Sequence, residues 1–281
     1  MLGQRLVTAI ALVALLLLAL AARPAWPFEV LTLVLVAAAA WEWARLNQAS
    51  KAVALVLGAA LAAAGAWGIS RGWTQGQPSP GWWTVALLWL FAGGVALRSG
   101  PKAWPQVPRW SRWCLGVLVL WAAWLALAQS RAIGINYLLS VLCLVWIADV
   151  AAYFGGRAFG RRKLAPSISP GKSWEGVWSG VLAVMALAVF WIWLDGRAAL
   201  DSDSVYSRLL ESAGWVGGAL MLAALSGFSV VGDLFESLVK RAAGAKDSSR
   251  LLPGHGGVLD RIDALLPVLP VALAVVAMGA P

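Results

Sequence analysis

The sequence predicts an all-α, polytopic integral membrane protein, and three observations predict it. Of its 281 residues 61% are hydrophobic and only 12% are charged, whereas about a quarter of a soluble domain is charged. The mean hydropathy is +0.78. The apolar residues come in runs of about 17–25, the length that crosses roughly 30 Å of hydrocarbon at about 1.5 Å per residue. None of these runs alternates with period two, so helices rather than a barrel must satisfy the backbone polar groups.

About nine transmembrane helices are expected, near residues 6–22, 28–46, 52–69, 83–98, 113–129, 133–154, 176–194, 214–239 and 264–280. With the N-terminus placed in the cytoplasm, 17 of the 22 Lys and Arg fall on that side and 5 on the other. That asymmetry is the positive-inside rule. The net charge of +9 is therefore topology, with attraction to anionic lipid or polyphosphate. It is not read as nucleic-acid binding.

The first run follows one Arg and precedes small residues, as in a signal peptide. It anchors the charge alternation, however, and is read as a retained helix. Spans one to three carry almost no polar side chains. Glu29 and Glu42 are expected at the ends of the second, solvated by the interface, with Trp26, Trp41, Trp43, Trp67 and Trp73 in an interfacial aromatic belt. Residues 71–82 read as a turn-rich external loop, and 98–112 as a short basic loop broken by Pro101, Pro105 and Pro108. Cys114 and Cys143 have no metal-type spacing and read as inert apolar residues. Residues 1–130, holding spans one to five, are thus expected to be scaffold. Residues 131–281 are expected to be the catalytic region, with cytoplasmic loops at 157–175 and 240–263.

The sixth span carries Asp149 about a turn before its cytoplasmic end. An acid within a span is costly and faces a cavity or a basic partner. The loop after it, RAFGRRKLAPSISPGKSWEG, contains PGKS at 170–173. That tetrapeptide mimics the end of a phosphate-binding loop, but Pro166 stands where the motif needs glycine and no strand is expected before it. Lys172 and Ser173 remain candidates for ligand contact, against a local reading in which Ser173 and Glu175 cap the next helix. The acids of the external loop 195–213 read as solvated.

In the eighth span Ser229, Asp233, Glu236 and Lys240 lie 4, 3 and 4 residues apart, on one helix face. Such a stripe lines a cavity; the local alternative is an ion pair between Glu236 and Lys240. The polar segment from Ser237 to Asp263 then gathers Asp247, Asp260 and Asp263 with Lys240, Arg241, Lys246, Arg250, Arg261 and the only histidine, His255. Pro253, Gly254, Gly256 and Gly257 imply an irregular backbone buried in protein or facing water. Glycine-flanked N–H groups can cradle phosphate oxygens. Carboxylates favour Mg²⁺, and Lys and Arg offset phosphate charge. These are the parts for phosphoryl or nucleotidyl transfer. A binding role suits His255 better than proton transfer, because a phosphate nucleophile is already ionised.

The pattern Ser237-x-x-Lys240-Arg241-x4-Lys246-Asp247-x-Ser249-x2-Leu252-Pro253-x-His255-Gly256-Gly257-x2-Asp260-Arg261-x-Asp263 resembles the signature of the phosphatidate cytidylyltransferases, or CDP-diacylglycerol synthases. Tyr153, Gly156, Gly160, Pro166, Ser169-Pro170, Lys172-Ser173 and Glu175-Gly176 resemble the family's second block, and Gly232-Asp233 also matches. The N-terminal 130 residues match only in hydropathy. The resemblance implies that CTP and phosphatidate give CDP-diacylglycerol and pyrophosphate in phospholipid biosynthesis. It implies Mg²⁺ on Asp233 and Asp260, with room for a second cation such as K⁺. Lys240 and Arg261 are then catalytic with those two acids. Lys172, Ser173, Arg241, Lys246, Asp247, His255, Gly256, Gly257 and Asp263 contact substrate, Asp247 and Asp263 by orienting bases. A homodimer in a bacterial inner membrane, with its site on the cytoplasmic face, is the implied setting. The alternatives are a CTP-dependent lipid kinase, a cytidylyltransferase for another lipid phosphate, and a cation or lipid transporter. The transporter is disfavoured, since the charges gather at one face and no inverted repeat appears.

Overall fold

The computed structural model describes the backbone of residues 2–278 and the side chains of residue 11 and residues 13–278. The last positions of the expected ninth span, 279–280, lie outside the described residues. The chain is helical almost throughout, as a backbone in lipid must be. Its helices are α1 (Leu2–Ala21), α2 (Trp26–Leu46), α3 (Lys51–Ser70), α4 (Trp82–Leu88), α5 (Gly94–Ser99), α6 (Arg109–Ile133), α7 (Ile135–Phe159), α8 (Trp174–Asp195), α9 (Val205–Ala242), α10 (Leu259–Ile262) and α11 (Leu265–Val276). A π-helical turn, Trp89–Gly93, joins α4 to α5. Seven of the described segments are long and apolar enough to cross a membrane: α2, α3, the joined α4–α5, α6, α7, α8 and α9.

Three elements differ from expectation. The last helix, α11, has only 12 residues and is buried from Leu266 to Val276. It is a central pillar rather than a lipid-facing span, entered from the short helix α10 through the turn at Asp263 and Ala264. The basic loop after α7 folds into a hairpin, β1 (Lys163–Ala165) against β2 (Ser169–Ser173), antiparallel. Helix α9 begins nine residues before the apolar run that predicts it and is interrupted at Gly214, where that run starts.

The core joins both halves of the chain. Phe235 of α9 stacks on Trp43 of α2 at 5.8 Å and meets Trp89 and Trp104 edge-on, each at 5.4 Å. Trp43 is 1% exposed, and its indole donates to the Arg112 carbonyl at 2.7 Å. It is a core residue and not part of an interfacial belt. Glu29 and Glu42 are also buried, correcting the interfacial reading. Glu29 accepts a hydrogen bond from Gln75 at one end of α2, and Glu42 meets the segment 248–259 at the other.

The connections that follow α2, α5, α7 and α9 converge at a single end of the bundle. Asn47 accepts from Trp104 and from Arg112, and Arg241 donates to the Ile168 carbonyl. These are the basic loops that the charge alternation assigns to one side.

Close packing of α9 against the start of α11 depends on Gly232. A Cβ there would overlap the Asp263 carbonyl and lie 2.8 Å from Pro267. Overpacking of this kind costs about 1–3 kcal/mol or more. Gly232→Leu is therefore expected to lower the thermal midpoint in detergent by about 5 °C or more, read by a melting curve against the parent protein.

Candidate active site

The polar stripe of α9 divides between two neighbouring centres. Asp233 faces a cavity of about 450 Å³ between α7, α8, α9 and the hairpin, into which Asp149, Arg157, Lys172 and Ser173 also point. The Lys172 ammonium lies 2.5 Å from Asp233 Oδ2, and the Ser237 hydroxyl donates to Asp233 Oδ1 at 3.3 Å. Away from these charges the cavity wall is apolar, formed by residues such as Ala152, Val177, Val181 and Val230. Asp149 thus belongs to this polar cavity and is more than a helix–helix contact.

The hairpin presents Lys172 through local chemistry. Its last residue, Ser173, caps α8 by accepting from the Gly176 N–H at 3.2 Å. The Glu175 carboxylate accepts from the Arg161 and Arg162 amides at 3.0 and 3.2 Å. The expected cap by Ser173 is present, and Ser173 lines the cavity while it caps; Glu175, in the first turn of α8, instead ties down the residues that follow α7.

The second centre lies one turn further along α9. Lys240 Nζ sits between Glu236 Oε2 at 2.5 Å and Asp260 Oδ1 at 2.7 Å. Glu236 is 1% exposed, and its Oε1 has no hydrogen-bond partner. The ion pair foreseen as the local alternative for Glu236 is therefore present, extended to Asp260. The other oxygen of Asp260 accepts from the Ser248 amide at 2.9 Å, the Ser248 hydroxyl at 2.8 Å and the Gly257 amide at 2.8 Å. Burial would raise the Asp260 carboxyl, but the Lys240 ammonium and the two amides hold it down at about 2. Asp263 follows on the same turn, and burial together with the neighbouring Asp233 carboxylate pushes its carboxyl upward.

The remaining predicted residues are placed unevenly. The loop turns at Gly256, whose φ of +81° is left-handed, with Asp247 beside it. Lys246 and Asp247 are exposed. The Gly257 N–H, expected to be available to phosphate, is already bound to Asp260. Arg261 donates through Nε and Nη2 to the His255 carbonyl at 3.1 and 2.5 Å. Arg241 donates to the Ile168 and Ala245 carbonyls, each at 3.4 Å. His255 keeps a buried Nδ1 without a partner, as a group with an open hydrogen-bonding position would. The structure therefore brings Lys172, Ser173 and Asp233 together at the cavity and Lys240 with Asp260 beside it. It leaves Lys246 and Asp247 outside both centres.

Among the described residues no group of three or more His, Cys, Asp or Glu side chains is arranged to hold a metal ion. Asp233 and Asp260 each face a lysine instead. That donor set suits Mg²⁺ arriving with a nucleotide, since Mg²⁺ takes one or two carboxylates and completes its shell with phosphate oxygens and water.

The family described as the Cytidylyltransferase family matches residues 3–278. A phosphatidate cytidylyltransferase of Pseudomonas aeruginosa is 38% identical over 280 residues, covering 98% of this chain and 96% of its own. One from Haemophilus influenzae is 38% identical over 196 residues, 67% of this chain and 63% of that one. One from Brucella suis is 43% identical over 140 residues, 50% of this chain and 46% of that one.

Proposed function

The chain belongs to the cytidylyltransferase family, and from that membership we infer that it transfers the cytidylyl group of CTP to phosphatidate. The products are CDP-diacylglycerol, for phospholipid biosynthesis, and pyrophosphate. The observation that carries this reading is the alignment, nearly end to end, with a phosphatidate cytidylyltransferase. The chain is a multi-pass membrane enzyme. We take α1 as a further crossing segment and the short, buried α11 as the ninth apolar segment, standing inside the bundle, with the N-terminus and the active site on the cytoplasmic face of a bacterial inner membrane. The homodimer rests on family resemblance.

In the proposed reaction a phosphate oxygen of phosphatidate bonds to the α-phosphorus of CTP. The bond from that phosphorus to the bridging oxygen breaks, and pyrophosphate leaves. Mg²⁺ bound at Asp233 and Asp260 would neutralise triphosphate charge and favour in-line displacement, and a second cation such as K⁺ fits the same logic. Lys172 and Lys240, which face these carboxylates, would turn to the phosphates. Arg261 would join Lys240 in stabilising the leaving pyrophosphate. Arg241, Lys246, His255, Gly256 and Ser173 are proposed substrate contacts, and Asp247 and Asp263 orient the bases. The cavity supports this reading through its composition. A charged rim at the loop end suits a phosphate, and an apolar wall suits the start of an acyl chain.

The direct assay is pyrophosphate release by purified protein in detergent with CTP, phosphatidate and Mg²⁺. Lipid-dependent release is expected, with loss of about a hundredfold or more in Asp233→Asn. CDP in place of pyrophosphate would assign a kinase.

A further inference from the structure

We propose that Glu42 is a positioning residue for cytidylyl transfer: from the scaffold helix α2, its carboxylate clamps the loop 248–259 in the shape that sets Asp260 against Lys240. The proposal rests on the reaction assigned above and adds a residue outside the sequence signature.

Glu42 is 0% exposed, and none of the described ion pairs includes it. A buried carboxylate without a cation is costly unless hydrogen bonds satisfy it. Here the donors come from one loop more than 200 residues away. Ser249 Oγ donates to Oε1 at 2.5 Å and the Val258 amide donates to the same oxygen at 3.0 Å. The Leu259 amide donates to Oε2 at 2.7 Å, and Ser248 Oγ lies 3.2 Å from it. Two backbone N–H groups need acceptors, so both oxygens matter. Glutamine would turn an NH₂ toward one of them.

The clamp reaches the reacting centre through covalent and hydrogen-bonded neighbours. Leu259, held by Glu42, immediately precedes Asp260. Ser248 lies between the two acids: its amide donates to Asp260 Oδ2 at 2.9 Å, and its hydroxyl is 2.8 Å from that oxygen. Gly257 is enclosed by Ser248 and Glu42, since a Cβ there would overlap the Ser248 hydroxyl and lie 2.5 Å from Glu42 Oε1. Glu42 and Asp260 thus hold one loop together, meeting at the Ser248 hydroxyl. The next residue of α2, Trp43, stacks on Phe235 of α9 at 5.8 Å. The clamp is therefore fixed to the same helix that carries Glu236 and Lys240.

The experiment compares Glu42→Gln, Ser249→Ala and the double variant with the parent protein. Glu29→Gln serves as the control, a buried acid on the same helix that accepts from Gln75 and does not reach the loop. Pyrophosphate release with CTP, dioleoyl phosphatidate and Mg²⁺ gives kcat and KM, thermal unfolding gives stability, and amide exchange over 257–259 is followed without metal or nucleotide. For Glu42→Gln the expected result is a kcat lower by about 10–100-fold, the range for residues that orient reacting groups. KM for phosphatidate should stay within about twofold to threefold. Exchange at 257–259 should be faster, and the double variant no slower than Glu42→Gln alone. Glu29→Gln should keep kcat and this exchange at parent levels. A folded Glu42→Gln with parent kcat overturns the proposal. If that variant does not fold, Ser249→Ala decides: several-fold lower kcat at an unchanged melting temperature supports the clamp, and parent kcat overturns it. A parent protein that releases no pyrophosphate overturns the reaction, and this inference with it.

Discussion

Asp260→Asn will reduce lipid-dependent pyrophosphate release by about a thousandfold, the scale for loss of a group that organises phosphate charge. The substitution is nearly isosteric but changes the chemistry at both oxygens. Oδ1 pairs with Lys240 at 2.7 Å, and Oδ2 accepts from the Ser248 and Gly257 amides and from a hydroxyl. An asparagine that keeps its oxygen on the amides points an NH₂ at the ammonium; the flipped side chain points it at the amides. Either way the charge proposed to hold the metal is gone, and either Lys240 or the loop amides lose their acceptor. Kinetics alongside a melting curve separate these effects. A folded variant with more than about a tenth of parental kcat would remove Asp260 from the proposed metal site.

The largest expected effect on stability comes from Lys240→Met. It leaves Glu236, 1% exposed, without its ion pair, and breaking a buried pair from one side costs about 3–5 kcal/mol. Adding Glu236→Gln removes the stranded charge and should recover most of that loss, as double variants of contacting residues do. Activity should stay low in the double variant, because Asp260 still lacks its lysine. Chemical denaturation of the three variants and the parent in one detergent checks the stability, and the pyrophosphate assay checks the activity. Equal stability of the single and double variants would show that Glu236 is not held as a charged partner of Lys240.

Much of this was legible because it is local. Apolar runs mark the helices that are long enough to cross a membrane, and the 4, 3, 4 spacing puts Asp233, Glu236 and Lys240 toward one polar region. Lys240, Asp260 and Gly257, all within the signature, meet at one centre. What was not legible depends on partners distant in the chain. Glu42 and Trp43 look like interfacial residues at a helix end, and only tertiary packing shows one bound to residues 248–259 and the other to Phe235. The β2 strand, SPGKS, has no period-two pattern, so its pairing with β1 carried no sequence signal. The short, central α11 was read as a full span because hydropathy does not distinguish burial in protein from burial in lipid.

CTP labelled in its α-phosphate tests the central claim most directly. Incubated with phosphatidate, Mg²⁺ and purified protein, it should give labelled lipid, while CTP labelled in its γ-phosphate should give labelled pyrophosphate and no labelled lipid. The reverse pattern, γ-label in lipid and none from the α-position, would contradict cytidylyl transfer and establish a kinase.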